Sequence, residues 1–204
     1  MTIQTNETPA RGPSEHNIRD QVVEAATAHF GHFGYEKTTV SDLAKAIGFS
    51  KAYIYKFFDS KQAIGEVICA NRLAQLAEIV DQAIADAPTA SEKLRRLFRA
   101  LTEAGSDLFF HDRMLYDIAA VASRDNWPSA AAHQQRLRQL IQLIIQEGRQ
   151  AGEFERKTPL DETANAIYLV MRPYICPLQL QYSLDTASSA AVLLSSLILR
   201  SLSP

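Results

Sequence analysis

Apolar residues recur at helical spacing along almost the whole chain, and no stretch alternates apolar and polar residues for long enough to make a strand. Ile18, Val22, Ala25, Ala26, Phe30 and Phe33 share one face of a first helix, which stops at Gly34, a natural left-handed terminator. Two short helices, about 40–47 and 51–57, flank Gly48-Phe49-Ser50. A long helix follows over about 61–85, with Ile64, Val67, Ile68, Ile79, Val80 and Ala83 turned inward, and Ala87-Pro88-Thr89 ends it. Thr89 and Glu92 have the spacing of a capping box for the next helix, which carries Leu94, Leu97, Phe98, Leu101 and Leu108. A shorter helix covers about 111–122, and Asn126-Trp127-Pro128 then breaks the pattern. Leu137, Leu140, Ile141, Ile144 and Ile145 form the apolar face of another helix. Thr158-Pro159 reads as cap and first position of a helix that Pro173 and Pro177 should kink or end, and a last helix runs over about 186–201. The expectation is an all-α chain of about nine helices.

At 204 residues the chain has room for one sizeable core, or for a small module joined to a larger one. Its 47% hydrophobic and 22% charged residues exclude a mainly disordered chain. A net charge of -2 excludes a uniformly basic nucleic-acid coat protein and leaves room for a local basic patch. Cys69 and Cys176 form no CxxC pair, so neither a disulfide framework nor a zinc site is expected, and a reducing cytoplasm is the natural compartment. No signal-peptide pattern opens the sequence, and its longest charge-free apolar stretch, 186–199, is shorter than the ~18 residues of a spanning helix, so no membrane partner is expected. GxSxG, GxGxxG, HExxH and P-loop patterns are absent, so neither an enzyme nor a cofactor is expected. His29 and His32 on one helix face make only a weak metal pair.

The informative region is 18–64. Two short helices joined by a Gly-containing turn follow the helix-turn-helix plan. Thr39 followed by Asp42 caps the first, and Ser50 precedes the second. Leu43, Ala44 and Ile47, with Ile54 and Phe58 beyond the turn, supply the apolar contacts that fix the crossing. The outward face of the second helix is then Lys51, Ala52, Tyr53, Tyr55 and Lys56, which suits a major groove: cations, aromatic hydroxyls and one small residue for close approach. Between Lys45 and Lys61 four Lys stand against one Asp, although residues 1–64 as a whole are neutral with seven of each sign. Spacing alone leaves both a solvated helical hairpin and a DNA reader open.

In this region Ala25–Phe30, Gly34-Tyr35, Thr38-Thr39-Val40, Asp42-Leu43-Ala44, Gly48-Phe49-Ser50-Lys51, Ile54-Tyr55, Phe57-Phe58 and Ser60-Lys61 follow one another without a gap over about 47 residues. In order and spacing they resemble the TetR-type (TetR/AcrR) helix-turn-helix transcriptional regulators. The resemblance implies a flexible arm over 1–14, a DNA-binding domain over 15–60 and an effector-binding and dimerisation domain over 61–204. It also implies roles by position. Thr39 would offer its hydroxyl and N–H to a phosphate, and Lys51, Ala52, Tyr53 and Lys56 would approach base edges or flanking phosphates. Tyr55 would hydrogen-bond the DNA backbone, and Lys61 would pair with another phosphate.

Beyond Ile64 the aromatic and sulfur side chains gather, and their ordinary meaning is a helical core. The resemblance implies a cavity for a small-molecule effector walled by the fourth to eighth helices. Phe109, Phe110, Met114, Trp127, Tyr168, Met171 and Arg172 are the candidate lining, and His111 and His133 are further hydrogen-bonding candidates. Arg172 could instead pair with Asp161 or Glu162. The stretch 173–199 holds a single charged residue, Asp185, which fits either complete burial or a subunit interface. Small residues point to an interface through Ala187, Ala190, Ala191, Leu194, Leu197 and Ile198, and the family dimerises through its last two helices. The implied function is a homodimeric repressor on a pseudo-palindromic double-stranded DNA operator, released by an effector.

Overall fold

The structure, a computed structural model, describes residues 15–204, with side chains from Ile18 onward, so the arm expected over 1–14 lies outside the described residues. Among the described residues there are ten helices and no strand: α1 (Glu15–Phe33), α2 (Val40–Ile47), α3 (Lys51–Ile54), α4 (Lys61–Ala85), α5 (Ala90–His111), α6 (Arg113–Arg124), α7 (Pro128–Gln150), α8 (Leu160–Ile175), α9 (Pro177–Leu180) and α10 (Leu184–Ser201). The helix beyond the expected nine is α9, a single turn with Pro177 at its first position.

Local chemistry sets most helix ends. Thr39 and Asp42 form a reciprocal capping box on α2, and Gly48 closes that helix in the left-handed region at φ 77°. Ser50, Ser60 and Thr89 cap α3, α4 and α5 by accepting the N–H of the residue three positions on. α8 departs from expectation at its start and stops, as expected, before Pro177. Its cap is Pro159, while Thr158 sits outside and donates its N–H to the Glu155 carboxylate at 3.1 Å. The helix also runs through Pro173 to Ile175. The N–H that proline lacks would have reached the carbonyl of Leu169, a residue on the exposed side, and the helix tolerates that loss near its end.

Two cores result. Val22, Ala26 and Phe30 of α1 pack with Leu43 of α2, Ile54 of α3, Phe58 and Ile64. This core does not stop at Ser60; it continues through Ile68 and Cys69 of α4 to Leu115 and Ile118 of α6, Trp127 and Ala130. The second joins α4, α5, α7, α8 and α10 through Val80, Leu97, Phe98, Ile144, Met171 and Ile198, among others. Each large side chain fully buried here contributes about 1.5–3 kcal/mol on leaving water. Two residues expected inward are not: Phe33 and Ile79 are about half exposed. Arg96 of α5 pairs at the surface with Glu92 and Asp86, and Arg136 of α7 with Asp81, contacts of small energetic weight. Arg138 instead lies over the Tyr168 ring at 4.0 Å.

Within the first core, the small N-terminal helices meet the larger body at Gly65. A Cβ there would lie 2.9 Å from both the Trp127 and the Tyr35 ring, two buried groups that touch edge to face at 5.5 Å. Gly65→Ala should therefore destabilise the protein by about 1–3 kcal/mol, read by urea or thermal unfolding, although alanine is the better helix former. An unchanged or raised midpoint would mean that this contact yields freely.

Candidate nucleic-acid interface and internal cavity

Ile54 and Phe58 are buried and hold α3 and the turn after it against α1 and α2. With those two inward, Lys51, Ala52, Tyr55 and Lys56 are exposed together. Lys51 Nζ lies 5.8 Å from the Tyr55 ring. Tyr53 is half-buried in an aromatic row, edge-on to Phe49 at 5.1 Å and to Phe57 at 5.3 Å, with Lys56 Nζ 5.5 Å from its ring. It is therefore more restrained than a free groove-reading side chain.

Thr39 and Lys61, expected at phosphates, already have internal partners. Thr39 donates its N–H to the Asp42 carboxylate at 2.9 Å and its hydroxyl at 2.7 Å. These bonds, the hydroxyl's first, hold the Asp42 carboxyl below its ordinary pKa. A phosphate would have to compete with that carboxylate for both donors. Lys61 donates to the carbonyls of Tyr35 at 2.9 Å and Glu36 at 3.4 Å, and its ammonium lies 4.3 Å from the Tyr35 ring. Partial burial lowers its pKa. The side chain fastens the start of α4 to the loop after α1, which spacing does not reveal because Tyr35 lies 26 residues away.

A cavity of about 200 Å³ lies between α4, α5, α6, α7 and α8. Of the seven residues expected to line it, Tyr168 does. Trp127 and Met171 are buried in the two cores, and Phe109 packs edge-on to Tyr116 beneath the Arg113 guanidinium. Phe110 is 67% exposed, Met114 lines a separate groove beside the loop after α1, and Arg172 is exposed. His111 is exposed as well, its ring nitrogen beside the Asp107 carbonyl. Size and polarity marked the right part of the chain but not the direction each side chain leaves its helix.

The walls are mainly hydrocarbon, among them Ile68, Leu73, Leu101, Leu108, Ile118 and Leu137. The Tyr116 ring also lines the cavity, but its hydroxyl donates to the Pro177 carbonyl at 2.5 Å, and burial raises its pKa. Arg72 and Gln75, on the exposed side of α4, form part of the rim and bond each other at 3.0 Å. His133 lines the cavity and has no hydrogen-bond partner among the described residues. Burial, and secondarily the charge of Arg136, pushes its pKa down to about 4, so at neutral pH it is uncharged. The sequence does carry a signal for it: His133 stands four residues before Leu137, on the buried stripe of α7.

The expected interface residues on α10 mostly face their own subunit. Ala187, Ala190, Ala191 and Ile198 are buried, Leu194 is partly buried against the second core, and Leu197 is 54% exposed. The small residues let α10 approach α5 closely within the chain. The apolar side chains left outside are Val192, Leu193 and Leu197 on α10, with Leu169 and Val170 on α8.

His133 gives a test of the cavity's interior. Unfolding lets it protonate near its ordinary value of 6.5, whereas the folded protein resists protonation until about 4, so stability is lost as pH falls through that interval. The His133 contribution should cost ~2 kcal/mol between pH 7 and pH 5, and His133→Gln should remove that share of the slope in denaturant titrations. Identical slopes for the two proteins would place the imidazole in water.

Residues 22–67 match the model described as bacterial regulatory proteins, tetR family, and residues 90–192 match a tetracyclin repressor-like C-terminal domain. The chain is 32% identical over 82 residues to the uncharacterized HTH-type transcriptional regulator YhgD of Bacillus subtilis, covering 40% of this chain and 43% of that one. It is 39% identical over 49 residues to IcaR, the negative transcriptional regulator of the biofilm operon icaADBC in Staphylococcus aureus, covering 24% and 26%. The matched part thus spans less than half of either relative. The fold is similar to that of the transcriptional regulator FadR from Bacillus subtilis in complex with stearoyl-CoA, at TM-score 0.62 and 20% identity over 89% of this chain and 95% of that one.

Proposed function

Because the chain belongs to the TetR family of bacterial transcriptional regulators, we propose that it is a homodimeric repressor that binds a pseudo-palindromic DNA operator and releases it when a small molecule enters the α4–α8 cavity. The observation that carries this reading is the exposed group Lys51, Ala52, Tyr55 and Lys56, backed by the buried Ile54 and Phe58. It combines cations for phosphate or guanine, a hydroxyl for the DNA backbone and a small residue that permits close approach. Tyr53 borders this face, while Thr39 and Lys61 reach DNA only by exchanging an internal partner for a phosphate. Repression is supported by IcaR, a negative regulator. No described helix is long and apolar enough to cross a membrane, and a DNA partner puts the protein in the cytoplasm.

A second copy is supported by the apolar side chains exposed on α8 and α10, since contiguous patches of this kind are uncommon on monomers. A two-fold axis through that face gives two α3 helices and an operator of matching symmetry. For an effector to release DNA it must bind two conformations unequally. α4 is placed to link them, because it holds the Lys61 and Gly65 contacts at one end and a wall of the cavity further along.

Lys56→Ala should weaken operator and random DNA alike and lower the salt slope of binding by ~1 per subunit, measured by fluorescence anisotropy. An unchanged slope removes Lys56 from the phosphate contacts. Leu193→Glu should yield monomers in sedimentation and lose operator binding while remaining folded. A dimer that survives this change assembles through some other face.

A further inference from the structure

Resting on the reading of the α4–α8 cavity as the effector site, we propose that its ligand is a compact, uncharged, mainly hydrocarbon molecule whose one polar group is hydrogen-bonded by His133. Volume is the first argument. About 200 Å³ lies below the ~300 Å³ at which pockets for drug-sized ligands begin, which excludes a long acyl chain lying wholly inside.

Charge is the second argument. Arg72 is the one charged residue lining the cavity, and it stands at the rim with 45% of its side chain exposed, beside Gln75 and 3.9 Å from Asp112. Among the described residues no carboxylate lines the cavity to meet a cationic ligand, and no interior cation is there to meet an anion. A charged group carried past the rim would lose its water without gaining a partner.

The third argument is the state of the interior polar groups. Tyr116 donates its hydroxyl hydrogen bond to the Pro177 carbonyl, and the Gln75 side-chain oxygen accepts from Arg72. Ser123, Gln134 and His133 also line the cavity, none with a side-chain hydrogen-bond partner among the described residues; of these His133 is the one that desolvation marks as withdrawn from water, and it is held neutral. A neutral imidazole has one N–H donor and one acceptor, so it can serve a carbonyl, a hydroxyl or an amide. Such a ligand group gives a half-buried polar side chain a bond it lacks among the described residues.

Three naphthalenes of similar shape separate the possibilities: acetonaphthone, with a carbonyl; ethylnaphthalene, without one; and naphthoate, with a charge. By calorimetry on the full chain, acetonaphthone should bind about tenfold more tightly than ethylnaphthalene and at least about a hundredfold more tightly than naphthoate. His133→Phe should abolish the preference for the ketone while keeping ethylnaphthalene binding, and His133→Gln should retain part of it. Thermal unfolding of both variants checks that they fold. Tighter binding of naphthoate or stearoyl-CoA, a ketone preference that survives His133→Phe, or no binding of any naphthalene at millimolar concentration would each overturn the proposal. Operator binding, measured in parallel, separates the two readings. Specific DNA binding without ketone preference sinks only the ligand class; ketone preference without specific DNA binding sinks the regulator.

Discussion

Tyr35, from the loop after α1, and Trp127, from the turn between α6 and α7, meet edge to face over the bare backbone of Gly65 in the first turns of α4. One turn earlier, Lys61 places its ammonium over the Tyr35 ring and bonds the carbonyls of Tyr35 and Glu36. Burial, with Asp125, Glu66 and Glu36 adding to it, pushes the Tyr35 hydroxyl up to about 12. Three segments distant in sequence are thereby fixed at one place. The first three helices alone would form a small domain with too little buried surface to be more than marginal. Their core becomes adequate because it continues across this contact into α6 and the start of α7.

The same contact joins the walls of the cavity to the first three helices. Cys69, one turn beyond Gly65, and Ala130, three residues beyond Trp127, both line the cavity. Ser129 donates its N–H to Glu66 at 3.2 Å, binding α7 to α4 between those points. Packed interiors shift between discrete arrangements and do not deform smoothly, so a displacement of α4 or α7 at the cavity has to be accommodated at Gly65. Gly65 in turn packs against Tyr35, in the loop that carries the Thr39 cap.

Much of the fold was legible because its determinants are local. Thr39, Ser50, Ser60 and Thr89 cap the helices they precede, and Gly34 and Gly48 take the left-handed conformation at helix ends. The exposed row on α3 was legible for a related reason: Ile54 and Phe58 point inward, and a helix with a known inner side has a known outer one. Thr39 and Lys61 are assigned to phosphate by resemblance, and the structure adds an internal partner for each. Asp42 was in view as the capping partner, but only side-chain geometry shows it taking both Thr39 donors.

Periodicity and capping signals were enough to establish helices throughout, the short helix pair and the residues it turns outward, because each depends on neighbours within a few positions along the chain. Packing across long sequence separations settled the rest. It turned Trp127 and Met171 into core and left Phe110 and Arg172 in solvent. It brought His133 to the cavity and set the alanines of α10 against α5, leaving Val192 and Leu193 outside. A helical pattern says which residues share a side; which neighbour covers that side depends on how ten helices fill space together.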